Sequence, residues 1–224
     1  RELADKLDVG INVHIAEVPG ETEFTQKLYG KRPIEIGVET GVLAPDAIAI
    51  HCVFMNENDV ALLAGSGAHM SHTSYHVTKR GYFPPMQYVY AAGVPVALGT
   101  DWCSNDLWQY MRAAILTPRV MTGDVAMLDG YGALEMATMG GARALGMADE
   151  IGSLAPGKKA DVILVDVSKP WLRPIRRANF SSNLVYNASG ADVTDVFVDG
   201  RPVVNDRRFT TVDQDAVLDE VQGR

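Results

Sequence analysis

The chain has 224 residues, 47% of them apolar and 21% charged, with a net charge of −8 and no lysine or arginine run. That composition suits a globular chain with a sizeable core and argues against nucleic acid or an anionic membrane as a partner, since either needs clustered positive charge. No apolar stretch approaches the roughly 20 residues of a membrane span, and the charged start "RELADKLDVG" does not read as a signal peptide.

Taken in order, short apolar runs at residues 9–16, 47–53, 68–72 and 94–99 alternate with helical patterns. This is the βαβ signature of a parallel sheet. "NENDVALLAGSG" opens on a capping asparagine and closes on glycine, and "PPMQYVYAAGV" begins with prolines suited to a first turn. "SNDLWQYMRAAILTPRVM" predicts a helix capped by Ser104 or Asn105, and "GYGALEMATMGGARALGM" predicts two more short helices. From Gly152 the texture changes to β-branched strands broken by glycine and "DG" turns, which predicts antiparallel hairpins and a boundary near residue 150. The tail "TVDQDAVLDEVQGR" reads as a polar surface helix. Four strand–helix units do not close a (β/α)₈ barrel, which takes eight strands and roughly 250 residues. The chain is expected to be the back half of something larger.

Polar residues recur where these runs end. His14 lies near the end of the first run, with Glu17 just beyond it, His51 lies late in the second, and Asp101 follows the fourth. Carboxyl ends of parallel strands converge on one rim, where active sites are built. Histidine and aspartate are suitable ligands for a divalent metal, and a nearby free carboxylate can move protons. Each residue alone has a blander explanation: a buried histidine can be a hydrogen-bonded core residue, and Asp101 can cap the next helix. The shared placement is what points to a site.

"VHIAE", "HCV", "SH" and "GVPVALGTDWCSND", in that order, resemble the second half of the amidohydrolase superfamily, closest to the branch of cytosine, guanine and adenosine deaminases and triazine hydrolases. "ALEMATMGGARALGMADEIGSLAPGKKADVILVD" is similar to the junction between that family's barrel and its small β-sandwich, and "DVTDVFVDGRPVV" to the last sandwich hairpin. The resemblance implies an α/β fold made of the second half of a metal-dependent TIM barrel (1–150) and the C-terminal part of a β-sandwich (151–224).

It also implies one divalent metal, zinc or else iron, held by His14 and Asp101. Glu17 would be the proton shuttle, and His51 would orient the attacking hydroxide, with Asp101 accepting its proton. His72, His76 and Trp102 would contact substrate; Lys79 and Arg80 read as solvated loop charges, and His69 has no assigned role. Cys52 is expected to turn away from the lumen by strand alternation, and Cys103 to pack.

The implied reaction is hydrolytic deamination of an amino-substituted N-heterocycle such as a pterin, purine, pyrimidine or triazine. The alternatives are dehalogenation or amide hydrolysis by the same machinery, or a non-catalytic scaffold with this fold. The family's His-x-His pair from the first barrel strand does not occur here. The chain alone should therefore bind metal weakly and turn nothing over. With two cysteines and no disulfide framework, a cytoplasmic setting is expected, and family habit suggests a homodimer.

Overall fold

A computed structural model of the chain describes residues 1–223; Arg224, the last residue of the expected tail helix, lies outside the described residues. Helix α1 (Glu2–Leu7) leads into strand β1 (Ile11–Ile15), followed by α2 (Pro19–Tyr29) and α3 (Pro33–Glu39). Then come β2 (Ala47–His51), α4 (Glu57–Ser66), β3 (His69–His72), α5 (Ser74–Lys79), α6 (Met86–Ala91) and β4 (Val96–Leu98). Helices α7 (Leu107–Thr122), α8 (Gly130–Glu135) and α9 (Gly141–Ala144) follow, the last two joined by a π-helical turn, Met136–Gly140. The remainder holds β5 (Val162–Val165), α10 (Phe180–Asn187), β6 (Val193–Val198), β7 (Arg201–Asn205), β8 (Arg208–Phe209) and α11 (Gln214–Val221). Among the described residues no helix is long and apolar enough to cross a membrane.

Strands β1 to β4 form one parallel sheet in sequence order, with helices as crossovers; β5 to β8 form a separate antiparallel sheet. Local chemistry explains the helix starts. The Asn56 side chain accepts from the Asp59 amide at 2.8 Å while the Asp59 carboxylate accepts from the Asn56 amide at 2.9 Å, a reciprocal cap for α4. Helices α2 and α3 begin on proline, which loses nothing in a first turn. Helix α7 is capped by Asp106, whose carboxylate accepts from the Trp108 amide at 3.1 Å. Ser104 and Asn105, expected in that role, precede the cap, and the Ser104 hydroxyl accepts from the Asp106 amide at 3.3 Å.

The parallel register sorts side chains onto two faces. Ile11, Val13 and Ile15 of β1, Ala47 and Ala49 of β2, Met70 of β3 and Val96 of β4 share the core with Leu63, Met86 and Val89 from the helices. Each fully buried side chain of this size contributes about 1.5–3 kcal/mol. On the opposite face stand Asn12, His14, Ile48, Ile50, His69 and Ser71, all exposed or half-buried. Where β4 ends, Gly99 runs so close to β3 that an added Cβ would lie 2.5 Å from the Ser71 hydroxyl.

A second core joins α7 and α8 to the segment carrying α10, with Trp108, Met111, Ile115, Ala133, Leu172 and Val185 buried together. The Trp108 indole N–H donates to the Leu184 carbonyl at 3.1 Å. The Arg112 guanidinium donates to the carbonyls of Val185, Tyr186 and Ala188 at 3.4, 3.2 and 2.8 Å, at the end of α10. Those carbonyls have no helical partner of their own.

Candidate active site

The carboxyl ends of β1, β2 and β4 and the start of α5 meet at one place. Beyond β1 the chain enters the left-handed region at Ala16 (φ 52°), and the Ala16 and Glu17 amides both donate to the Glu21 carboxylate, each at 2.8 Å. Glu21, in the first turn of α2, thus fixes the backbone that presents Glu17. At the end of β2, His51 and Cys52 both have positive φ, 72° and 51°. Strict alternation would put His51 on the helix side with Ala47 and Ala49; the left-handed turn breaks it. The ring swings to the site and Cys52 is buried in the core. Cys52 faces the helices as expected, but through this turn rather than through alternation.

His51 is fully buried and stands at the middle of the cluster. Its ring lies 5.0 Å from that of His14 and 5.6 Å from that of His76. His51 Nε2 is 3.7 Å from Glu17 Oε2 and 3.6 Å from Asp101 Oδ2, and it has no hydrogen-bond partner among the described residues. On the other side of the ring, Nδ1 lies 2.7 Å from Thr73 Oγ1. His76 Nε2 is 3.5 Å from Asp101 Oδ2, and its Nδ1 pairs with the Cys103 sulfur at 3.1 Å. Asp101, also left-handed (φ 53°), takes a bond from the Trp102 amide at 2.8 Å.

Arg80 donates to Glu17 Oε1 at 2.7 Å and sits 3.4 Å from His76 Nε2. Arg80, expected as a solvated loop charge, is thus tied to the cluster. Trp102 is 77% exposed, edge-on to the His76 ring at 5.5 Å, with the Lys79 ammonium 5.9 Å from its own ring.

Of the residues singled out in the sequence, His14, Glu17, His51, His76, Asp101 and Trp102 come together. His72 does not. It is fully buried with neither ring nitrogen bonded, and it meets the Phe83 ring edge-on at 5.2 Å. Its register partners put it on the helix side of the sheet, and no left-handed turn rescues it as at His51. The expectation that His72 lines the substrate pocket is corrected accordingly. Thr73 and Glu21 are contacts the sequence did not single out, and Cys103, expected only to pack, pairs with His76. Thr73 adjoins a noticed residue, which is a weak signal at best; Glu21 looks like an ordinary first-turn acid.

Burial holds the His51 imidazole below its ordinary range, against the pull of Glu17 and Asp101. Two carboxylates therefore converge on a ring whose burial favours the neutral form, with Arg80 the nearby cation at Glu17. That surplus of negative charge, with imidazole and carboxylate donors, suits a divalent cation such as zinc. A catalytic zinc takes three protein ligands. Among the described residues, no group of three or more His, Cys, Asp or Glu side chains is arranged to hold a metal ion. His14 and Asp101 are donors of the kind zinc takes, and by themselves they fall short of that number. A cavity of about 820 Å³ lies at the opposite end of the strands, lined in part by Arg1, Asp46, Asn12 and Arg143. None of the clustered side chains reaches it.

The Amidohydrolase family matches residues 1–203. The chain belongs to the amidohydrolase family. It is 41% identical over 224 residues to a 5-methylthioadenosine/S-adenosylhomocysteine deaminase of Desulforudis audaxviator, covering 98% of this chain and 52% of that protein. It is 34% identical to a 5'-deoxyadenosine deaminase of Methanosarcina acetivorans, covering 99% and 52%. Among solved amidohydrolase-fold structures, a zinc-bound adenosine deaminase from Xanthomonas campestris superposes with a TM-score of 0.92 at 32% identity, covering 100% of this chain and 52% of that one. An atrazine chlorohydrolase from Arthrobacter aurescens superposes with a TM-score of 0.87; at 21% identity it shares the fold alone. This amidohydrolase chain spans about half the length of the relatives it matches.

Proposed function

We propose that the chain is the carboxy-terminal half of a metal-dependent deaminase that hydrolyses the exocyclic amine of an N-heterocycle, with adenine nucleosides as the substrate class. One observation carries the reading: His14, Glu17, His51, His76 and Asp101, from four separate segments, converge at the strand ends of a parallel sheet. The adenosine-type names of relatives at 34–41% identity support the substrate class. In this reading residues 1–150 supply strands five to eight of an eight-stranded barrel, and 151–224 supply part of a β-sandwich.

His14 and Asp101 would hold one divalent metal, and the zinc in the Xanthomonas campestris structure favours zinc. Such a metal makes hydroxide available near neutral pH. Asp101 can accept a proton from the attacking nucleophile while His51 Nε2 faces the oxygen on which charge develops. Glu17, half-buried at the rim, is placed to protonate a ring nitrogen and then the departing amine. Ammonia leaves and the ring carbon keeps the oxygen. Arg80 restrains the Glu17 carboxylate between those steps. Trp102 offers a face for a planar base.

The test is metal analysis of the full-length protein, then an ammonia-release assay with 5'-methylthioadenosine, S-adenosylhomocysteine, 5'-deoxyadenosine and adenosine. Turnover of at least one by metal-loaded protein is the expected result. Metal-loaded protein that releases ammonia from none of them overturns the substrate class.

A further inference from the structure

We infer that Thr73 is a positioning residue that holds the ring plane of His51. The inference rests on the reading of His51 as the group that faces the developing charge.

The geometry assigns Thr73 this task by elimination of its usual one. It occupies the cap position of α5, where a threonine hydroxyl ordinarily accepts a bond from an amide in the first turn. Here it makes no such bond. The Thr73 carbonyl accepts from the Val77 amide at 3.0 Å, and the Ser74 hydroxyl donates to the Tyr110 carbonyl at 2.6 Å. The Thr73 hydroxyl instead lies 2.7 Å from His51 Nδ1, with both residues only 1% exposed. A β-branched side chain has few χ1 choices, so the hydroxyl is stiffly aimed.

On the far side of the ring, Nε2 lies 3.7 Å from one carboxylate oxygen and 3.6 Å from another. A hydroxyl both donates and accepts, so the contact at Nδ1 holds the ring plane whichever nitrogen carries the proton. Without it, no hydrogen bond among the described residues keeps the His51 ring from turning.

The experiment uses the full-length protein with the adenine nucleoside that it deaminates fastest. Thr73→Val keeps the shape and removes the hydroxyl, Thr73→Ser keeps the hydroxyl, and His51→Gln is the control for the reading itself. Thr73→Val is expected to lower kcat about 10- to 100-fold with KM changed less than about threefold, the pattern of a misaligned group rather than lost binding. Thr73→Ser is expected to restore most of kcat. A crystal structure of Thr73→Val should show the His51 ring rotated or in more than one orientation. The wild-type ring orientation kept in that variant overturns the inference, and so does a folded Thr73→Ser whose kcat falls more than about tenfold. If His51→Gln abolishes turnover while Thr73→Val matches the wild type, the inference falls alone. If His51→Gln leaves kcat unchanged, the catalytic reading of His51 falls and takes this one with it.

Discussion

His72 is sealed in the core with both ring nitrogens unbonded. Burial, with a smaller push from neighbouring His51, lowers its pKa from 6.5 to about 3. The unfolded chain therefore takes up this proton first, and stability is lost as pH falls from about 6.5 toward 3. A single such group steepens the pH dependence of unfolding by up to about 1.4 kcal/mol per pH unit. His72→Leu is expected to flatten that slope, measured as the urea midpoint from pH 7 to 4; an unchanged slope would refute the assignment. Glu17→Gln is a different kind of change. Its ion pair with Arg80 is partly solvated, worth at most about 1 kcal/mol, so the melting temperature should barely move. Turnover by the full-length protein should fall roughly 10²- to 10⁴-fold if Glu17 carries the protons; near-normal kcat would reassign them. His14, Glu17 and Asp101 were visible in the sequence because polar residues at the tips of apolar runs stand out. The His51 ring direction was not visible, since it depends on a backbone angle that no period-2 pattern encodes. His72 obeys the alternation and faces the helices, whereas the family resemblance implies substrate contact.

At the level of elements, the four parallel strands and the helices opening at Asn56 and after Pro85 were legible from apolar runs and cap residues. Helix α10 was not. Its sequence "FSSNLVYN" is rich in serine and asparagine, which favour caps and turns over helix interiors, and packing against α7 and α8 decides its state. Two residues hold it there. Arg112 satisfies the carbonyls at its end, and Arg112→Met is expected to cost about 1–3 kcal/mol in chemical denaturation by leaving them unpaired. Gly130, in the first turn of α8, lies so close to α10 that an added Cβ would be 2.9 Å from the Ser182 Cα. Gly130→Ala should push the helices apart and cost about 1–3 kcal/mol. A Gly130→Ala protein as stable as the parent would show that the contact can relax.

For the whole molecule, the decisive quantity is how much of the metal centre one chain supplies. With His14 and Asp101 as its only proposed ligands, the isolated chain is expected to bind zinc at least 10²-fold more weakly than the full-length protein, by titration against a chelator of known affinity. It is also expected to release no ammonia. Tight stoichiometric binding by the isolated chain would mean that another ligand set operates. The parallel sheet has a further consequence of its own. Among the described residues, Ile11–Ile15 and Val96–Leu98 are its outer strands, each paired on one side only. Amide and carbonyl groups along those flanks can accept any extended peptide as a neighbour, including another copy of themselves. Produced alone, the polypeptide should tend toward aggregation.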